Sequence, residues 1–205
     1  MDFTPTNPYK GTTATFTGHR PNKLAQNSSA AYKESHYKVF LPMLVNALEA
    51  YLNIGIDTFI TGGAQGFDQL VFWAVHQLKE RHPDKTIRNI VYVPFKGQES
   101  IWRGNDIFGP TNYRKMLELA DDVEYCTDLD NSCTKNQIAQ ALDYRNHCMC
   151  RSSSRLCSLW SNSEFQNNTL TPGGTANCVK FATSQNMYCD KLVYDFNDNG
   201  LIILV

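Results

Sequence analysis

The chain lacks any apolar run approaching the roughly 20 residues that a membrane-spanning helix needs. It also lacks an excess of either charge. Nineteen Lys and Arg against 20 Asp and Glu leave a formal net charge of -1. No general attraction to a polyanion is expected from that balance, which argues against nucleic acid as a partner and leaves room only for a local basic patch. The opening stretch MDFTPTNPYKG has no basic segment followed by an apolar one, so it does not read as a secretory signal. Residues 1–12 are expected to be a short flexible arm and the protein to be cytoplasmic. There are seven cysteines, all from Cys126 onward, and none forms a CxxC pair. Cys148 and Cys150 make only a CxC, whereas a tetrahedral zinc site usually draws on two well-spaced ligand pairs. The cysteines therefore read as reduced, small core hydrophobes, and no metal is expected. Internal repeats and low-complexity segments are absent too.

What is present fits one globular domain. The length of 205 residues supports a single sizeable core, here residues 13–205, and 42% hydrophobic residues is ordinary for a soluble domain. Short apolar stretches alternate with helical periods along its whole length. Strands are expected at 13–17, 57–61, 89–93, 122–126 and 155–160, with closing strands at 191–194 and 201–205 joined by an Asn-Asp-Asn-Gly hairpin turn. Phe40, Leu44, Ala47, Leu48, Tyr51 and Leu52 mark a first long helix. Pro42 places its start near Leu41, because proline is tolerated in a first turn. Gly55 is a plausible stop. Phe67, Leu70, Val71, Ala74, Val75 and Leu78 line one face of a second helix. Further helices follow at Tyr113–Met116–Leu117–Ala120, at Ile138–Ala141–Leu142–Arg145, and at Ala176–Val179–Ala182. The glycine- and aromatic-bearing loop between Pro94 and Pro110 is a candidate lid. Strands alternating with helices predict an α/β fold with a Rossmann-like, doubly wound, mostly parallel sheet and a C-terminal hairpin.

Three glycine-bearing turns stand where strands run out: TGHRP at 17–21, TGGAQGFD at 61–68 and TPGGTAN at 171–177. In an open α/β sheet such turns gather at the carboxyl edge, where ligands bind. Glycine admits close approach of a phosphate, and the following helix offers unpaired N–H groups and a positive dipole end. Thr17, Gly18, His19 and Arg20 come from the first turn. Arg20 suits a phosphate through paired charge-assisted bonds, and His19 reads as a loop anchor, with ligand or base as the alternative. Thr61, Gly62, Gly63, Gly66 and Asp68 come from the second turn, which is not a P-loop because no Gly-Lys-Ser/Thr follows. Asp68 either complements the helix dipole or accepts from a ribose hydroxyl. The third turn supplies Gly173, Gly174, Thr175 and Asn177, and Arg145 and Asn146 come from the end of the preceding long helix.

The series TGHRPNKL, ITGGAQGFDQLVFWA, PF-GQ-E-W, YRNHCMC and LW…GGTANCVKFA resembles the YpsA-like branch of the SLOG superfamily over residues 13–195. That resemblance implies a Rossmann-like fold. It also brings Gln98, Glu99 and Trp102 of the lid segment beside the pocket. Trp102 either stacks a nucleobase or packs the loop onto the core. The superfamily includes phosphoribohydrolases that activate cytokinins, DprA-like DNA-uptake proteins, and domains that bind nucleotide-derived signals. The hydrolases use an Arg and a Glu in a PGGxGTxxE motif. Here the segment is PGGTANCVK, with Lys180 and no acid between Gly173 and Phe181. Asp68 and Glu99 are the remaining candidates for a catalytic acid.

The resulting expectation is a binder of a nucleotide or of an NAD- or ADP-ribose-derived signal, cyclic forms included, acting as a sensor or a sequestering protein. A nucleotide N-glycosidase is the alternative and a nucleic-acid-associated protein ranks third. No cofactor is expected, and a homodimer or higher oligomer is.

Overall fold

A computed structural model of the protein describes residues 10–24, 34–102, 107–195 and 201–204. The expected N-terminal arm up to residue 9 and the hairpin turn at 197–200 lie outside the described residues. Seven strands form one sheet in the order β4-β3-β2-β1-β5-β6-β7. These are β1 (Thr13–Thr17), β2 (Thr58–Thr61), β3 (Arg88–Val93), β4 (Asp122–Tyr125), β5 (Arg155–Ser161), β6 (Tyr188–Asp195) and β7 (Leu201–Leu204). The first six run parallel, and β7 pairs antiparallel with β6. The expected doubly wound α/β sheet with a closing C-terminal hairpin is the fold observed.

The central strands are apolar because both of their faces are covered, as parallel sheets require. Every residue of β1 and of β2 is buried. Successive side chains point to opposite faces, and each face has its own helices. Phe16, Phe59 and Leu159 enter the cluster made with α2 (Glu34–Asn53) and α3 (Phe67–Arg81). Ile60, Ile90 and Tyr92 meet Cys148 and Met149 of α5 (Lys135–Arg151). Leu156 meets Cys150 of α5 and Cys178 and Ala182 of α7 (Gly174–Ser184). Val91 and Val93 pack with Tyr113 and Met116 of α4 (Pro110–Leu119). Edge strand β4, by contrast, is exposed at both of its ends. No helix among the described residues is long and apolar enough to cross a membrane.

Some boundaries differ from the sequence expectation. Helix α2 begins at Glu34 and holds Pro42 in its interior. Pro42 itself is exposed, on the solvent side of the helix. Two segments outside the expected helices contain short ones, α1 (Pro21–Leu24) and α6 (Asn162–Gln166). Strand β6 starts at Tyr188 rather than Lys191, because it pairs with β5 along the full length from Arg155↔Tyr188 to Ser161↔Tyr194. Its polar start hides the strand pattern. Asp190 there takes Arg155 at 2.7 Å and the Tyr51 hydroxyl at 3.0 Å.

Phe16 lies at the middle of this packing, fully buried, with its ring 5.6 Å from that of Tyr51 and 6.1 Å from that of Phe59. Phe16→Ala is expected to destabilise the fold by ~3–5 kcal/mol. Urea unfolding reads this as a lower midpoint at unchanged slope. A loss below ~1 kcal/mol would show that the core does not depend on this ring.

Candidate functional site

The strand order reverses at β1, whose neighbours are β2 on one side and β5 on the other. Such a switch point opens a crevice at the carboxyl ends of the strands. The three glycine turns meet there. The backbone N–H of Phe67 donates to the His19 carbonyl at 3.1 Å, joining the second turn to the first. Gly66 has φ +97, and a Cβ there would stand 2.5 Å from the same carbonyl oxygen, so only glycine fits this junction. The Thr175 hydroxyl donates to the Gly18 carbonyl at 3.0 Å, joining the third turn to the first. Asn146 Nδ2 donates to the Gly174 carbonyl at 3.5 Å. Thr17 is buried just before the first turn.

The second turn is filled by the protein's own carboxylate. Asp68, in the first turn of α3, is 5% exposed. Its Oδ2 accepts from the Ala64 N–H at 3.3 Å and lies 3.4 Å from Arg145 Nη1, and the Gly62 N–H also donates to the carboxylate. Burial raises the Asp68 pKa, against the opposing pull of Arg145, Arg20 and those N–H groups. Arg145 arrives from α5 and is itself 5% exposed. Its guanidinium occupies the space that a side chain at Gly62 would take, which fixes residue 62 as glycine. Arg145 Nε and the Thr61 hydroxyl are both buried without a partner. Arg20 is open to solvent. Desolvation lowers its pKa first, Asp68 opposes, and the like charge of Arg145 adds to the lowering. Arg145 thus contacts the Asp68 carboxylate, and Arg20 acts on it only through charge.

The third turn is open. Gly173 and Gly174 are exposed, and nothing lies within 4 Å of where a Cβ would stand on either. No side chain caps the start of α7, and its first turn holds no acid. Asn177 is exposed in that turn. Unfilled N–H groups at a helix start are the usual seat of an anion.

A dyad bridges β1 and β5 across the crevice. His19, 4% exposed, places Nε2 2.7 Å from Glu164 Oε2. Glu164 is the third residue of α6, in a capping box with Ser161 at the end of β5. It accepts from the Ser161 N–H and hydroxyl, each at 3.0 Å, and from the Thr171 N–H at 2.9 Å and hydroxyl at 2.6 Å. Burial alone would raise its pKa. The hydrogen bonds from Thr171 and Ser161, with His19 adding to them, overcome that and hold it at about 2. Desolvation lowers the His19 pKa more than Glu164 raises it. At neutral pH the pair is therefore a carboxylate accepting from a neutral imidazole, with the ring proton on Nε2.

In the lid segment, Gln98 is buried and donates to the Tyr113 hydroxyl at 2.5 Å. The Trp102 ring stands edge-on to Tyr113 at 5.0 Å and is half-buried, so it packs the segment onto α4. Glu99 lies 3.4 Å from the exposed Arg114. Phe95 and Phe108 are buried at the two ends of the segment. Arg103 lies outside the described residues. Among the described residues no cluster of His, Cys, Asp and Glu is arranged to hold a metal.

Thus the first, second and third turns, Arg20, Asp68, Arg145 and Asn146 come together, while Glu99 is paired with Arg114. Glu164 belongs to the site and escapes a search for acids downstream of Gly173. Its signal in the sequence is Ser161-x-x-Glu164 directly after a strand, the pattern of a capping box.

Comparison with known proteins agrees with the architecture. The model of the YspA SLOG family matches residues 14–196. The uncharacterized SPbeta prophage-derived protein YoqJ of Bacillus subtilis (strain 168) is 32% identical over 129 residues, spanning 60% of this chain and 68% of that protein. The X-ray structure of DNA processing protein A (DprA) from Streptococcus pneumoniae superposes with a TM-score of 0.54 at 11% identity. It covers 93% of this chain, which in turn spans 53% of that one. At that identity the likeness is one of fold.

The dyad and the junction predict stability changes. Glu164 is held near 2 against an ordinary 4.5, so its contribution is complete above pH 4.5 and disappears as the pH falls toward 2. The shift is on the order of 3 kcal/mol. His19, lowered from 6.5, adds a loss of stability below that pH, because the unfolded chain takes up its proton first. Glu164→Gln should abolish the step between pH 4.5 and 2 and cost ~1–3 kcal/mol at pH 7. An unchanged pH profile of urea unfolding would remove Glu164 from this role. Gly66→Ala should cost at least ~2 kcal/mol in the same assay, from backbone strain and the collision with the His19 carbonyl.

Proposed function

The chain belongs to the YspA SLOG family, and from that premise we propose that it binds a nucleotide or nucleotide-derived small molecule at the switch point of its sheet. The observation that carries this reading is the contrast between the two later turns. The second has its anion position taken by Asp68, while the third is an open, uncapped helix start joined to the first turn by Thr175. A ligand phosphate fits the third turn, with Arg20 at the crevice mouth as its charged partner. Arg145 remains tied to Asp68 and shapes the wall. NAD- and ADP-ribose-derived signals, cyclic forms included, carry the required anion and ribose. Holding without cleavage is favoured because the acids near the crevice are engaged. Glu164 accepts five hydrogen bonds and Asp68 holds Arg145 and backbone N–H groups. The protein then acts as a cytoplasmic sensor or sequestering protein, and self-association is part of the same reading.

One observation favours an N-glycosidase instead. The Asp68 pKa is raised, as a proton donor requires. The fold likeness to DNA processing protein A of Streptococcus pneumoniae is the ground for a nucleic-acid role. The net charge of -1 offers that role no broad basic face.

Calorimetry and native mass spectrometry with nucleoside monophosphates, NAD, ADP-ribose and its cyclic forms test the proposal. Saturable binding of at least one intact ligand is expected. Arg20→Ala should weaken it by about 10–100-fold, the worth of one charge-assisted hydrogen bond. Thr175→Val should weaken it less, by loosening the third turn. Absence of binding across the panel, or full affinity in both variants, would overturn the site. Release of free base would replace binding by hydrolysis.

A further inference from the structure

Helix α5 carries two thiols that the proposed pocket does not use, Cys148 and Cys150. Cys150 is 1% exposed, and its Sγ lies 3.7 Å from Sγ of Cys178 on α7, which is fully buried. Leu156 and Ala182 pack around them, and half-buried Cys189 on β6 lies beside the cluster. The contact sits one helical turn beyond another link between the same helices. Asn146 bonds to the Gly174 carbonyl, and Cys150 and Cys178 each lie four residues farther on. The two sulfurs are therefore the second rung of a ladder whose first rung holds the third glycine turn.

We propose that Cys150 and Cys178 are a disulfide-forming pair that fastens α5 to α7. A disulfide brings its sulfurs to about 2.05 Å, so the approach from 3.7 Å is under ~2 Å between helices already in contact. The two thiols lose two protons and two electrons to a hydroperoxide. With hydrogen peroxide the products are the S–S bond and two waters. The hydrogen bond to Cys178 and then burial push the Cys150 thiol pKa up, so oxidation is slow in the closed fold and proceeds when α7 opens locally. The bond itself is independent of any ligand. Its consequence, a third turn fixed against Asn146, rests on the pocket proposed above.

The test uses the full-length reduced protein. It is treated with hydrogen peroxide, denatured, alkylated and mapped by mass spectrometry without reduction. A peptide pair joined through Cys150 and Cys178 is expected. The free-thiol count falls by the two that react, from seven to five, and dithiothreitol restores it. Sub-denaturing urea should speed the reaction, and the oxidised protein should melt several degrees higher, since the link closes a loop between residues 28 apart. Cys178→Ser should lose the link, and Cys150→Ala serves as a second variant should the first fold poorly. Absence of the Cys150–Cys178 peptide after prolonged oxidation of the native protein would overturn the proposal, as would links confined to the less buried Cys133 or Cys189. Repeating the ligand panel on both redox forms separates the two claims. A mapped link without any ligand binding sinks only the pocket, and binding without a link sinks only the thiol pair.

Discussion

A single carboxylate with almost no solvent contact organises the carboxyl edge of this sheet. Asp68 sits at the start of α3, where the helix dipole favours a negative charge. It draws in the N–H groups of Gly62 and Ala64 and the guanidinium of Arg145. Each of those contacts restricts something else. The guanidinium excludes any side chain at residue 62. The closed turn directs Gly66 and Phe67 against the His19 carbonyl. Were Asp68 absent, a buried Arg145 would have no counter-charge, which is the costly way to break an internal ion pair. The turn reads as a phosphate cradle, but in the fold its anion is already supplied by the chain.

The His19–Glu164 dyad does for the other side of β1 what Asp68 does for the first. β1 and β5 are hydrogen-bonded neighbours, and the dyad joins the segments that follow them. Glu164 does so because α6 is pinned by its capping box while Thr171 grips the second carboxylate oxygen. Five donors on one carboxylate leave it little freedom and little basicity. The cost is that the group stays ionised near neutral pH.

Local features of the sequence announced the fold well. Glycine or proline marks the turns that feed α1, α3, α4 and α7, and the alternation of apolar strand and periodic helix survives folding almost unchanged. The period of Phe67 to Leu78 is the buried face of α3, and β1 and β2 are where their apolar runs predict. The failures share one cause. Pro42 stands on the solvent side of α2, and the polar start of β6 is strand because β5 offers it a full ladder. Neither neighbour is visible along the chain. The site shows the same limit. Arg20, Asp68 and the three turns announce themselves by position. That Arg145 reaches Asp68 across 77 residues, and Glu164 reaches His19 across 145, depends on tertiary contacts that no local pattern encodes.

The contrast between the second and third turns bears on cleavage as well as on binding. A glycosidase of this layout needs a carboxyl group free to exchange a proton beside the bond to be broken. Asp68 has the raised pKa but faces Arg145 and the backbone. Glu164 lies beside the first and third turns but is held near 2 by its donors. Glu99 lies against Arg114. Asp68 and Glu164 are thus each engaged by their own donors. The fully open group at the edge is the start of α7, which supplies N–H donors and no proton acceptor. A crevice with fixed cations, a neutral imidazole and engaged carboxylates suits an anion better than a developing oxocarbenium ion, and that inventory of groups supports the proposed reading of holding rather than cutting.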